Sequence, residues 1–254
     1  MAKKIRIALL LFVLLTVAVG TWQARVRTTS WERALNVVVF PINADGKSET
    51  EAYIRSLSDE SFEPIRSFMR NEAQHYGISL LNPVDIYIGP EVNAAPPLAP
   101  VGGSVPKVML WSLQMRWWAW RHGEHPILEP DVKIYAMLFH PSTAKQLRHS
   151  VGLQKGLIGI ANLFAVPHMT AENNIIITHE LLHTLGATDK YDLTSNQPLY
   201  PAGYAEPEIT PLYPQEFAEI MGGRIPVSEN GSVAPRTLEA VLVGPETARE
   251  IGWQ

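Results

Sequence analysis

Residues 179–189 read His-Glu-Leu-Leu-His-Thr-Leu-Gly-Ala-Thr-Asp, at the end of a stretch with helical patterning. Thr170 is placed to cap that helix, which runs through Asn173, Ile176 and Ile177 into the His-Glu pair and stops at Gly186. Residues four apart share a helix face, so His179 and His183 present both imidazoles to one metal ion. Glu180 sits beside the first of them but points slightly around the helix, which suits a base acting on water and not a ligand. Gly186 lies three residues past His183, where a Gly takes positive φ and ends the helix. The chain then turns, and Asp189 three residues later can return toward the same ion. Two His and one carboxylate leave the fourth position of a tetrahedral zinc open for water. An anionic Asp189 donates more charge than a third His, making the metal a somewhat weaker Lewis acid.

Upstream, strands and helices alternate. Residues 35–42 read as a strand, stopped by the Asn43-Ala44-Asp45-Gly46 turn signal. Helical patterning runs from Ser48 to about His75, where Pro64 is placed to divide it into two helices. Val84–Ile88 alternates as a second strand, and 90–106 is a Pro- and Gly-rich loop. A helix over Val105–Arg121 and a strand over Asp131–Phe139 follow. Two further segments, 150–155 and 157–164, read as a strand pair or a strand with an irregular edge. Three β/α alternations before the His-Glu helix imply an α/β domain on a twisted, mostly parallel sheet.

The 105–121 helix carries Trp111, Trp117, Trp118 and Trp120. Such a cluster suits a membrane interface, sugar stacking, or ordinary packing on a sheet. Packing is the expectation, with Trp117 and Trp120 sharing the packed face and Trp118 exposed.

Lys3, Lys4 and Arg6 precede an apolar run from Ile7 to Gly20, the order of a signal peptide or an N-terminal membrane anchor over residues 1–28. Ala18-Val19-Gly20 offers a small-x-small cleavage site; Trp22 instead suits an uncleaved anchor at the interface. Arg25 and Arg27 beyond the run weaken the charge bias that would orient it. The expectation is export, periplasmic or extracellular, with or without membrane association through this segment. Residues 30–254 then form one domain with a sizeable core. A net charge of −4 without a basic stripe downstream gives no case for nucleic acid. The chain has no cysteine, so disulfides and thiolate ligands are excluded and any metal must be held by His, Asp, Glu or backbone.

His179-Glu180-x-x-His183-x-x-Gly186-x-x-Asp189 resembles the zinc site of the metzincin clan of peptidases, in the snapalysin-like form where Asp replaces a third His. Asp189-Lys190-Tyr191 is similar to that group's Asp-x-Tyr continuation, and Glu219-Ile220-Met221-Gly222-Gly223 to its Met-turn. Residues 159–162, Gly-Ile-Ala-Asn, are similar to the antiparallel edge strand that receives an extended substrate, and 245–253 to the clan's C-terminal helix. The resemblance covers residues from about 150 to the end; before that only the order of strands and helices matches.

It implies a metzincin-like fold whose mainly irregular C-terminal part ends in a helix. Zn2+ would be held by His179, His183 and Asp189, with Glu180 catalytic and Gly186, Met221 and Tyr191 in support. The implied activity is that of a zinc-dependent endopeptidase acting on a protein or peptide substrate. Where some members carry a supporting Tyr two residues after the Met, this chain has Gly223, and Tyr191 or Arg224 would have to stand in.

Rival readings use the same residues. Glu216 and Glu219, 33 and 36 residues beyond His183, could serve as a third ligand in a thermolysin-like scheme, which leaves Gly186 and Asp189 without a role. A non-catalytic zinc-binding module and a zinc amidase acting on a non-protein substrate share the motif. His75, His122, His125, His140 and His149 sit singly, and His168 alone is close enough to the motif to line a cleft.

Overall fold

β1 (Leu35–Asn43) is buried along almost its whole length, the pattern of a central strand covered on both faces. Its side chains alternate between two cores, Val37 and Val39 on one side and Val38, Phe40 and Ile42 on the other. β2 (Val84–Ile88) and β3 (Val132–Phe139) flank it, both parallel. β5 (Ile158–Phe164) continues the sheet in parallel beside β3, and β4 (Val151–Leu153) closes it antiparallel to β5. The order is β2-β1-β3-β5-β4. The computed structural model describes residues 27–100, 104–144, 146–147, 150–153 and 156–254, and the leader or anchor segment lies outside the described residues, as does His149.

The order of the strands decides which helix covers which face. β1 and β2 are joined through α1 (Ser48–Ser56) and α2 (Glu63–His75). The next connection, through α3 (Val105–His122), passes back across β1 to reach β3. Right-handed crossovers in opposite directions put their helices on opposite faces. Accordingly Tyr53, Ile54, Ile65, Phe68 and Met69 of α1 and α2 pack with Val37 and Val39, and α3 packs with Val38, Phe40 and Tyr135. α4 (Thr170–Leu185) shares the α1/α2 face through Ile177, Leu181, Leu182 and Leu185.

Beyond α4 regular structure is sparse: β6 (Ala218–Glu219) pairs with β9 (Val241–Leu242), β7 (Ile225–Ser228) pairs with β8 (Gly231–Val233), and α5 (Pro245–Glu250) ends the chain. Trp31 donates its indole N–H to the Ile251 carbonyl at 2.8 Å and packs on Trp253, tying both ends of the domain together.

The fold is the expected α/β arrangement, and the 48–75 stretch is divided into two helices as expected; three other details differ. Pro64 sits in the first turn of the second of them, α2, where its missing N–H costs nothing, after a 3-10 turn at Asp59–Phe62. Thr170 is the first helical residue and not the cap, and its hydroxyl bonds to that of Tyr53 at 2.9 Å. Residues 159–162 lie inside the sheet, and the antiparallel edge is β4. The tryptophans are inverted: Trp111 and Trp118 are buried (7% and 6% exposed), whereas Trp117 and Trp120 are out in solvent (60% and 70%). Trp118 stacks edge-on against Tyr135 at 4.6 Å, so the packed face of α3 is the one running through Trp111, Met115, Trp118 and Ala119. Among the described residues no helix is long and apolar enough to cross a membrane.

Candidate metal centre

α4 lies close on the sheet because two glycines make room for it. Gly152 of β4 and Gly159 of β5 are register partners. A Cβ on Gly152 would stand 2.3 Å from the His183 Cβ, and one on Gly159 would stand 2.6 Å from Ile134 and 3.5 Å from the Glu180 Cβ. The helix is fastened by polar side chains spent internally. Asn173 donates to the Phe164 carbonyl at 2.9 Å, Asn174 to that of Ser61 at 3.0 Å, and Thr178 to that of Asn174 at 2.7 Å. It ends at Gly186, whose φ of 120° strongly favours glycine, and Gly186 and Ala187 both donate to the Leu182 carbonyl.

The two imidazoles stand edge to face, 4.6 Å between centroids. Nδ1 of His179 lies 2.9 Å from the Ile220 carbonyl and Nδ1 of His183 lies 2.8 Å from the Ala187 carbonyl. A carbonyl only accepts, so in each ring Nδ1 carries a proton. Both Nε2 atoms then face one oxygen, Asp189 Oδ1, at 3.2 and 3.0 Å. Two ring nitrogens and a carboxylate oxygen converging this way can share a proton or a metal cation, and backbone carbonyls orienting the imidazoles from behind are the usual support of a metal site. His179, Glu180 and His183 also form a cluster whose potential ligand atoms lie within 4.8 Å of one another, a group that could hold a metal ion.

The electrostatics point the same way. Burial opposes charge on Asp189, but its bonds to His179 and His183 outweigh that and hold its carboxyl well below the usual range. Burial also opposes charge on His179; the bond to Asp189, the nearby Glu180 and the Ile220 carbonyl overcome it and raise the ring's pKa. The site therefore favours positive charge between these residues. Glu180 is 3% exposed, and burial lifts its carboxyl to about 7, with His179 and His183 holding it partly down. Its Oε2 is buried and has no hydrogen-bond partner among the described residues. An acceptor that is not satisfied by protein is suited to a water or substrate proton in the cleft.

Asp189 is held from both sides. Thr188 donates its N–H and hydroxyl to Glu250 of α5 at 3.0 and 2.6 Å, and the Lys190 ammonium reaches the same carboxylate at 2.7 Å. Lys190 is 3% exposed, and its backbone N–H bonds to the Met221 carbonyl at 2.9 Å. Met221 is fully buried in the core, so the Glu219–Gly223 turn supports the loop carrying Asp189 through its backbone. Glu250 and Ile220 are the residues that sequence reasoning missed. Only the charge of Lys190, which needs a buried partner, hinted that an acid stood nearby.

The other candidates separate clearly. Glu219 is fully buried and spends Oε2 on the Met221 and Gly222 N–H groups (2.6 and 2.7 Å) and Oε1 on Gly244 N–H and the Thr247 hydroxyl (3.1 and 2.6 Å). It organises the turn and is not a ligand; Glu216 is exposed and outside the cluster. Arg224 donates to Ser232 at 2.8 and 2.9 Å and does not line the cleft. Tyr191 does line it, and burial together with the charges of Asp189 and Glu180 pushes its hydroxyl up to about 12, so it remains a proton donor. His168 is exposed, whereas its neighbour Met169 faces the cleft.

The cleft is a cavity of about 520 Å³ with His179 and Glu180 in its wall and Phe164, Ile176, Ile220 and Pro235 as apolar lining. A cavity of similar size, about 570 Å³, lies between α2 and residues 237–242, away from the cluster. No known family model matches this chain, and no curated protein is similar to it.

Proposed function

We propose that this protein is a zinc-dependent endopeptidase of metzincin type, snapalysin-like, with residues 30–254 as its catalytic domain. The observation that carries the reading is the convergence of His179 Nε2, His183 Nε2 and Asp189 Oδ1 beside the buried, unpartnered Oε2 of Glu180. The donor set fits zinc: two neutral imidazoles oriented by carbonyls, one carboxylate, and room in the cleft for water and substrate. His179, His183 and Asp189 would hold the ion, which when bound supplies a Lewis acid for the scissile carbonyl and acidifies water.

Glu180 takes a proton from water and delivers it to the leaving amine. A carboxyl whose burial brings it near neutrality is matched to that task. The Tyr191 hydroxyl donates to developing negative charge, a role for which Arg224 is turned the wrong way. An extended peptide would pair with the outer edge of β4 and run past α4. The reading includes export, with residues 1–28 as signal or anchor.

The test is metal content and cleavage on the purified protein. One zinc per chain is expected, with hydrolysis of casein or of a mixed peptide library. Glu180→Ala should keep the zinc and lose hydrolysis. Zinc-loaded protein that leaves the whole library intact would reject peptidase action in favour of an amidase or a binding module. Full activity in the zinc-loaded variant would reject Glu180 as the base.

A further inference from the structure

α3 covers its face of the sheet with only part of its circumference. At about 100° per residue, Met109, Leu110, Leu113, Trp117 and Trp120 gather within one arc of about 100°, opposite the packed residues Trp111, Met115 and Trp118. All five are more than half exposed. Exposed apolar side chains are ordinary when scattered, but a contiguous apolar stripe marks an interaction face. The flanks are basic: Lys107 and Arg121 on one side, with the Arg121 guanidinium 6.0 Å over the Trp117 ring, and Arg116 on the other. The helix contains no Asp or Glu, in a chain whose net charge is −4.

The point where the chain enters the described structure bears on what covers this stripe. Arg27, the first described residue, pairs with Asp131 immediately before β3. From β3, Lys133 and Tyr135 donate to the Ala119 carbonyl of α3, next to Trp120. Only six residues separate Arg27 from the apolar run ending at Gly20. They span at most about 22 Å of extended chain. The placement rests on the anchor form of the export reading proposed above: a bilayer holding that run would be brought close to the exposed end of α3.

We propose that this face of α3 docks on an anionic lipid bilayer, with Trp117, Trp120 and Leu113 in the headgroup region and Lys107 and Arg121 on the lipid phosphates. Trp and basic residues at the rim of an apolar arc are the composition of helices that lie in the interface plane. α4 is on the other face of the sheet, so docking through α3 leaves the candidate metal centre turned away from the membrane. The proposal does not depend on the chemistry of that centre.

The absence of native cysteine gives a direct test on the full-length chain. Trp117→Cys and, as a control on the opposite face, Ala52→Cys of α1 are each labelled with an environment-sensitive fluorophore. The proteins are mixed with vesicles of phosphatidylcholine with or without phosphatidylglycerol. The label at 117 should shift to the blue and be quenched by nitroxide lipid, whereas the label at 52 should stay in water. Lys107→Glu and Arg121→Glu should each weaken the anionic-vesicle response about fivefold. Two results would overturn the proposal. One is a label at 117 that stays in water while the chain floats with the vesicles. The other is a label already shielded without lipid in a protein that sediments as a dimer, since a second copy would then occupy the face.

Discussion

α3 and α4 lie on opposite faces of one sheet and treat their side chains in opposite ways. α4 buries polar groups: Asn173, Asn174, Thr178, Glu180 and Thr184 are all inside. All but Glu180 hydrogen-bond to backbone, and among the described residues Glu180 keeps a buried oxygen unpartnered. α3 exposes apolar groups, with six large ones facing solvent among the described residues. Polar inside and apolar outside are the two departures from ordinary burial that carry information, and each points to a ligand the protein chain does not itself supply. On α4 the proposed ligand is small and charged; on α3 the proposed surface is broad and apolar.

The largest expected effect lies at the unpartnered acid. Glu180→Gln should lower kcat/KM by about 10²–10⁴ with zinc retained. In metal-free protein the same change should have a pH-dependent effect on stability. The folded pKa of Glu180, about 7, is above the usual carboxyl value of 4.5, so the proton binds the folded state more tightly. Its stabilisation is complete below the unfolded pKa and is lost as pH rises through about 7. The wild-type Tm should therefore fall from pH 5 to pH 8 by more than that of Glu180→Gln. Parallel curves would place the oxygen in contact with solvent and weaken the contrast with α3.

The support of α4 can be broken from two sides. Glu250→Ala leaves Lys190 buried and unpaired and should cost about 3 kcal/mol. Because Thr188 and Lys190 flank Asp189, zinc affinity should drop with it. The Glu250 carboxyl is partly buried, which opposes its charge, yet its bonds to Lys190 and Thr188 hold it below the usual range. That stabilisation is present above the unfolded pKa and lost as pH falls through the folded one, so Glu250→Gln should flatten the acid limb of the stability profile. Gly152→Ala should cost about 1–3 kcal/mol, since its Cβ meets that of His183 and either strand or helix must move. Calorimetry and competitive zinc titration read all three variants.

Much of this was legible in the sequence and some was not, for physical reasons. Periodicity and turn residues place β1, β2, β3 and the helices between them, because those signals are local. The spacing of His179, His183 and Asp189 brings the three together for the same reason. Glu250 reaches Lys190 across sixty residues and Ile220 reaches His179 across forty-one, and neither contact has a local signature. Glu219 looks like a ligand by type and distance along the chain, yet its carboxylate closes a turn. On α3 the period was read correctly and the face was not. Residues 111, 115 and 118 and residues 113, 117 and 120 both satisfy helical spacing, so the sequence holds two apolar stripes and only the sheet decides between them.

That ambiguity yields the smallest effect and its sharpest control. Trp118→Ala removes a ring packed against Tyr135 and should cost about 3–5 kcal/mol. Trp117→Ala, one residue away, should change stability in solution by no more than about 0.5 kcal/mol, because its ring contributes to no core contact. If both variants lose stability alike, the exposed stripe is packed against something in solution and the two faces of α3 are not distinct. If only Trp118→Ala does, the apolar stripe costs the fold nothing when removed, and its presence must be explained by what it meets outside the chain.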